Sequence, residues 1–133
     1  FNSCSSFTEL VQAFRDSGNT IERYHYNRMM NKEKVYFFQK DNKIICYGWS
    51  TEKPLFVSEK NKTLDVKDGV ILYDFFTYKE FRNKGFYQKL LKKILNQLEP
   101  NTKAYIYALK SNIASNKAIV KAGFQATNSH KIF

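Results

Sequence analysis

Tyr73-Asp74-Phe75-Phe76-Thr77-Tyr78-Lys79-Glu80-Phe81-Arg82-Asn83-Lys84-Gly85-Phe86-Tyr87 passes from a β-prone run, through a basic turn that carries one glycine, into a helix. Residues 70–77 form the strand. Residues 85–98 set Leu90, Leu91, Ile94, Leu95 and Leu98 on one helical face, Lys89, Lys92 and Lys93 on the other, and Pro100 beyond the end. A strand-to-helix junction of this kind is an anion site, because the free amides of the first helical turn and the positive end of the helix dipole converge there. Gly85 lets the backbone approach a ligand closely, and Arg82 and Lys84 add cationic side chains. The turn lacks the paired glycines and Gly-Lys-Ser/Thr of a Walker loop, and it is not GxGxxG.

Outward from this junction, residues 104–109 read as a strand and residues 112–122 as a helix closed by Gly123. A crossover of about 25 residues through a helix lets the strands at 70–77 and 104–109 lie parallel. Toward the N-terminus, Phe7, Leu10, Val11 and Phe14 make the stripe of an amphipathic helix over residues 6–16. Asn19 or Thr20 is the expected cap of a second helix running to about residue 30. Residues 34–38 and 44–50 read as an antiparallel pair turned at Asp41-Asn42. Residues 51–69 read as a surface connection with one extended piece at 55–57, and the last ten residues leave room for one more strand. The sum is an α/β chain with a mixed sheet flanked by helices.

The 133 residues fit one domain, and 43% hydrophobic residues supply a core without disulfides or a structural metal. No apolar run approaches the roughly 20 residues that span a bilayer, so a membrane partner is not expected. Cys4 and Cys46 stand far apart with no CxxC, which argues against zinc and redox motifs and for reduced thiols in a cytoplasmic setting. The chain opens on Phe1 with no signal-like segment, so it reads as processed, truncated or a domain, such as the C-terminal part, of a longer protein. Twenty-two Lys and Arg against 12 Asp and Glu give a net charge of +10. Eighteen of the 22 are lysines, and Asn, Ile, Phe and Tyr are abundant too. That pattern looks like A/T-rich coding more than selection for phosphate recognition, where the arginine fork is favoured. A nucleic-acid partner is therefore not expected, while a polyanionic small ligand fits.

Ser111-Asn112-Ile113-Ala114-Ser115-Asn116-Lys117-Ala118-Ile119-Val120-Lys121-Ala122-Gly123-Phe124 supplies the second motif. Together the two segments resemble the GNAT superfamily of N-acetyltransferases. The family's coenzyme loop, Arg/Gln-x-x-Gly-x-Gly/Ala after a strand, is matched by Arg82 and Gly85. Its later Asn-x-x-Ser/Ala, helix and Gly-Phe are matched by Asn112, Ser115, Gly123 and Phe124. The resemblance covers residues 70–124 and implies the GNAT fold, with acetyl-CoA as co-substrate and no metal. It implies that pantetheine runs along the strand at Phe75, Phe76 and Thr77, and that the pyrophosphate rests on the amides of Asn83, Lys84, Gly85, Phe86 and Tyr87. The reaction implied is direct attack of an acceptor amine on the thioester.

Two positions depart from the family pattern. Tyr87 replaces a Gly or Ala of the loop, and Ile119 stands where many members carry a tyrosine that protonates the leaving thiolate. Either the thiolate departs unassisted, or Tyr105 or Tyr107 is the expected substitute. For the general base Asp74 comes first and Tyr73 second, since strand alternation puts them on opposite faces unless an irregularity reverses the parity. A structural Asp74, bonded to a helix or turn amide, is the competing reading. His25, in the aromatic stretch Arg23-Tyr24-His25-Tyr26, lies where the family places its acceptor-binding helices, yet a packed histidine is the commoner case. Trp49, Tyr47 and Phe38 read as core.

The loop variant Gly-Phe-Tyr resembles relatives from bacterial surface-polysaccharide pathways, which implies an amino sugar or sugar nucleotide as acceptor, with a protein amine second. The alternatives are a catalytically weak or inactive coenzyme-binding domain of a larger protein, and a basic nucleic-acid-binding module. The short tail after Phe124 leaves a homodimer or partner chain to complete the sheet.

Overall fold

Ser6 opens the first helix by accepting the Glu9 amide at 3.3 Å, while its own hydroxyl donates to the Glu9 carboxylate. The computed structural model describes residues 1–18, 20–57, 61–67, 69–108 and 111–124. A short strand β1 (Asn2–Cys4), which the sequence did not announce, precedes this helix, α1 (Phe7–Asp16). The second helix, α2 (Arg23–Met30), starts later than expected: Glu22 is the cap, and His25 Nδ1 accepts its amide at 2.8 Å. Thr20 thus lies outside the helix, and Asn19 falls outside the described residues.

The hairpin β2 (Lys34–Lys40) and β3 (Lys43–Thr51) turns on Asp41-Asn42 alone, with φ of 52° and 66°. Two consecutive left-handed residues match the twist of the flanking strands, and Asx side chains tolerate that region. The expected extended piece is β4 (Leu55–Val57), and it pairs with β5 (Lys62–Leu64) as a small separate ribbon. The junction segment becomes β6 (Gly69–Thr77), a short 3-10 turn (Lys79–Phe81) and α3 (Phe86–Gln97). Next come β7 (Lys103–Ile106) and α4 (Ile113–Lys121). The strand expected over 104–109 ends at Ile106, with Tyr107 and Ala108 beyond it; position 109 lies outside the described residues, as do those of the strand expected after Phe124.

The main sheet runs β1-β2-β3-β6-β7, antiparallel throughout except for the parallel β6–β7 pair. Each face buries its own cluster. Leu10 and Phe14 of α1 and Met29 of α2 pack with Val35, Phe37 and Trp49 on one face. Leu90, Leu91 and Ile94 of α3 and Ile119 of α4 pack with Val70, Leu72, Cys46 and Ile106 on the other. Burying a side chain of this size contributes roughly 1.5–3 kcal/mol. No helix among the described residues is long and apolar enough to cross a membrane.

One irregularity sets the geometry of everything that follows. Trp49 pairs with Tyr73 and Tyr47 with Phe76, so Gly48 alone faces Asp74 and Phe75. Asp74 is the extra residue of a β-bulge, at φ 56°.

Candidate active site

The bulge reverses the alternation of β6. Leu72 packs on the α3/α4 face and Tyr73 on the α1/α2 face, as the period of two requires. After Asp74 the order restarts, so Phe75 packs beside Leu72's cluster while Phe76 meets Tyr47 and Tyr78 on the opposite side. Asp74 and Tyr73 are therefore not on opposite faces, as simple alternation predicted. Both turn toward α2, where the Arg28 guanidinium donates to Asp74 at 2.7 Å and lies 4.8 Å from the Tyr73 ring centroid.

Arg28 is held on three sides by aromatic rings: Tyr24 at 4.5 Å, Trp49 at 4.8 Å and Tyr73. The Tyr73 hydroxyl donates to the buried Glu33 carboxylate, whose other oxygen accepts the Asn31 amide at 3.1 Å. Burial, with the bond to Glu33 after it, pushes the Tyr73 phenol up. This hydroxyl is committed as a proton donor, which leaves Asp74 as the carboxylate open to the cleft.

The cleft itself opens where the parallel strands part. Paired registers run from Gly69 with Lys103 to Leu72 with Ile106. Beyond them Phe75, Phe76 and Thr77 line one side of a cavity of about 660 Å³, and Tyr107 and Ala108 line the other. The N-terminus of α3 closes one end. Gly85, at φ 80°, caps that helix without any side-chain bond, and the first helical hydrogen bond is Lys89 to Gly85. The amides of the first turn are thus left for a ligand, and a Cβ on Gly85 would meet nothing within 4 Å. An anionic group placed there gains about 0.3–1 kcal/mol per favourable interaction where exposed.

Of the residues that the sequence pointed to, Asp74, Tyr73, Phe75, Phe76, Thr77, Arg82, Asn83, Gly85, Phe86, Tyr87, Asn112 and Ser115 all line this one cleft. Lys84 does not. Two of the group are already engaged: Arg82 donates its Nε–H to the Thr77 carbonyl at 2.8 Å and lies 5.2 Å over the Phe76 ring. Thr77's carbonyl is consequently taken, and Arg82 offers only its terminal nitrogens. Asn112 caps α4 by accepting the Ser115 amide at 3.1 Å. Lys117 and Lys121 of α4 add positive charge to the lining.

Tyr87, read from sequence as a bulky intrusion, instead ties the two helices across the cleft. Its hydroxyl lies 3.1 Å from the Ser115 Oγ, and its ring meets Phe75 at 5.3 Å. Burial raises its phenol. Ile119 is fully buried in the core. Of the two tyrosines expected to stand in for it, Tyr107 lines the cleft, whereas Tyr105 lines a separate cavity with Leu98, Pro100 and Phe124. His25 is a core residue, stacked 5.9 Å from Trp49, and burial followed by the Arg28 charge lowers its pKa. Arg28 and Glu33 are the site residues that sequence reasoning missed. Among the described residues, no group of three His, Cys, Asp or Glu side chains could hold a metal ion.

The helix-flanked mixed sheet is similar to the fold of GNAT acetyltransferases. Solved structures bear this out. A GNAT-family acetyltransferase of Colwellia psychrerythraea superposes with a TM-score of 0.62 at 21% identity, over 99% of this chain and 48% of that one. An aminoglycoside 6'-N-acetyltransferase of Acinetobacter baumannii gives 0.62 at 14% identity, over 96% and 92% of the two chains. The ribosomal-protein-S18-alanine N-acetyltransferase of Escherichia coli gives 0.62 at 14%, over 96% and 79%. No family model matches the sequence, and no curated protein matches it. Likeness at such identities establishes the fold.

Proposed function

We propose that this chain transfers an acetyl group from acetyl-CoA to a primary amine by direct attack. The observation that carries the reading is the uncapped start of α3 behind left-handed Gly85, opening on the cleft where β6 and β7 part. The pyrophosphate would rest on the amides at 85–88, flanked by Arg82 and Lys117, with pantetheine along Phe75 and Phe76.

An alkylamine arrives mostly as the ammonium near neutral pH and must lose a proton first. Asp74, directly or through a water, accepts it. The freed lone pair forms the C–N bond at the thioester carbonyl, and the C–S bond breaks as the tetrahedral intermediate collapses. The second amine proton goes to the departing thiolate, for which the Tyr107 hydroxyl is the relay, giving the amide and free coenzyme thiol. Holding amine and thioester in attack geometry can be worth about 7–11 kcal/mol.

An amino sugar or sugar nucleotide is the leading acceptor, and a protein amine comes second; similar folds carry names of both kinds. The test is thermal unfolding with acetyl-CoA, with ATP and a short oligonucleotide as controls, followed by thiol release with an amine panel. At about 100 times its Kd a native-state ligand stabilises by roughly 2.7 kcal/mol. For a domain of this size the midpoint rises on the order of 8 °C. A rise specific to acetyl-CoA with amine-dependent thiol release supports the enzyme. A rise without release supports a coenzyme-binding domain, and an equal rise with every polyanion overturns both.

A further inference from the structure

A carboxylate on a bulge swings unless something holds it. Asp74 is the extra residue between β3 and β6, at φ 56°, and its side chain is 41% exposed. One contact restrains it: Arg28 Nη1 donates to Oδ2 at 2.7 Å, and among the described residues no other side chain bonds that carboxylate. Oδ1 is left for a proton.

Arg28 in turn has lost most of its own freedom. Its guanidinium carbon lies 4.5 Å from the Tyr24 ring centroid and 4.8 Å from those of Trp49 and Tyr73. Tyr24 stands four residues earlier on α2, one turn back on the same face. Trp49 of β3 is fully buried. Tyr73 of β6 is tied at its hydroxyl to the buried Glu33 carboxylate, which also accepts the Asn31 amide. Three elements thus supply three walls around one planar cation, and only a guanidinium offers both a plane to lie among rings and a fork to aim at a carboxylate. A pair with Asp74 this exposed adds little to folding. Arg28 does not line the cleft, whereas Asp74 does.

Resting on the acetyl-transfer reading, we propose that Arg28 is a positioning residue: locked among Tyr24, Trp49 and Tyr73, it fixes the Asp74 carboxylate by Oδ2, so that Oδ1 takes the proton from the acceptor ammonium and leaves the amine its lone pair. Arg28 touches neither coenzyme nor reacting atoms and acts through Asp74 alone. Ordering both side chains before substrate arrives spares the reaction that cost.

The experiment is a double-mutant cycle. Thiol release from acetyl-CoA is measured with glucosamine, alaninamide and n-butylamine for the native chain, Arg28→Lys, Asp74→Asn and the double variant, with a thermal midpoint for each. Arg28→Lys keeps the charge and loses the fork, and is expected to lower kcat about tenfold or more while the KM for acetyl-CoA stays unchanged. In the Asp74→Asn background the same substitution is expected to be silent, because the residue it acts through is gone. If Arg28→Lys does not fold, Tyr24→Leu removes a half-exposed wall outside the cleft and is expected to lower kcat in the same sense, again only where Asp74 is present. An equal loss in both backgrounds marks a structural role and overturns the inference, as does full kcat in Arg28→Lys, and both outcomes leave acetyl transfer standing. No thiol release from the native chain with any of the three amines overturns the acetyl-transfer reading and this inference with it.

Discussion

The ring of Phe75 lies across the backbone of Gly48: a Cβ placed on Gly48 would come within 2.1 Å of it. Gly48 is the one residue of β3 opposite the two bulged residues of β6, so the absence of a side chain there is what lets Phe75 turn onto the α3/α4 face. Gly48→Ala is expected to destabilise by about 1–3 kcal/mol through overpacking. Adding Phe75→Ala should cost less in the Gly48→Ala background than in the native one, read as a double-mutant cycle by urea denaturation. Strict additivity would show that the two positions are not in competition.

Gly85 separates backbone conformation from ligand space. Gly85→Ala keeps the cleft open and meets only the φ of 80°, so it should lower stability by roughly 1 kcal/mol and leave the thermal shift by acetyl-CoA intact. Gly85→Glu sets a carboxylate against the amides meant for an anion and should abolish that shift. Calorimetric titration of both variants checks the pair.

Replacing Asp74 by Asn keeps an acceptor for Arg28 and removes the proton acceptor. Turnover at neutral pH should fall by about 10²-fold or more, while acetyl-CoA affinity stays within a factor of about two. An unchanged rate in a thiol-release assay would make Asp74 a structural partner of Arg28 only.

His25 gives a pH signature of folding. Its pKa is lowered in the folded protein by burial and by Arg28, so the unfolded chain takes up the proton at higher pH. The stability is complete above about pH 6.5, the ordinary histidine value, and falls as the pH drops through it toward the folded-state pKa. Midpoints measured from pH 8 to 5 should show this decline, and His25→Asn, which can still accept the Glu22 amide, should flatten it.

Much of this site could be read from the chain because its signals are local. The helical stripe of Leu90, Leu91 and Ile94, the Asp41-Asn42 turn and the helix that follows Asn112 are each set within a few residues, and each appears where the pattern put it to within a residue. The turn into α3 was legible for the same reason, since Gly85 and the helix that follows are contiguous. What escaped depends on pairing across long separations. The bulge at Asp74 is decided by Gly48 on another strand, and the Arg28–Asp74 and Tyr73–Glu33 contacts bridge 46 and 40 positions. His25 is packed, as the commoner reading had it, but the rings it packs against, Trp49 and Phe14, stand on other elements. The late start of α2 follows from the same residue, because its ring nitrogen accepts the Glu22 amide and so fixes the cap at Glu22.

The strand β6 carries two phases on one backbone. Its first five residues keep the rhythm of the sheet, and its last three run one step out of time, with Asp74 as the syncopation between them. Were that single residue to take an ordinary extended place in the alternation, residues 69–73 would stay in register and Phe75 and Phe76 would each go to the other side. Phe75 would then leave the α3/α4 face and Phe76 would take it, so the wall of the cleft depends on one residue standing outside the count.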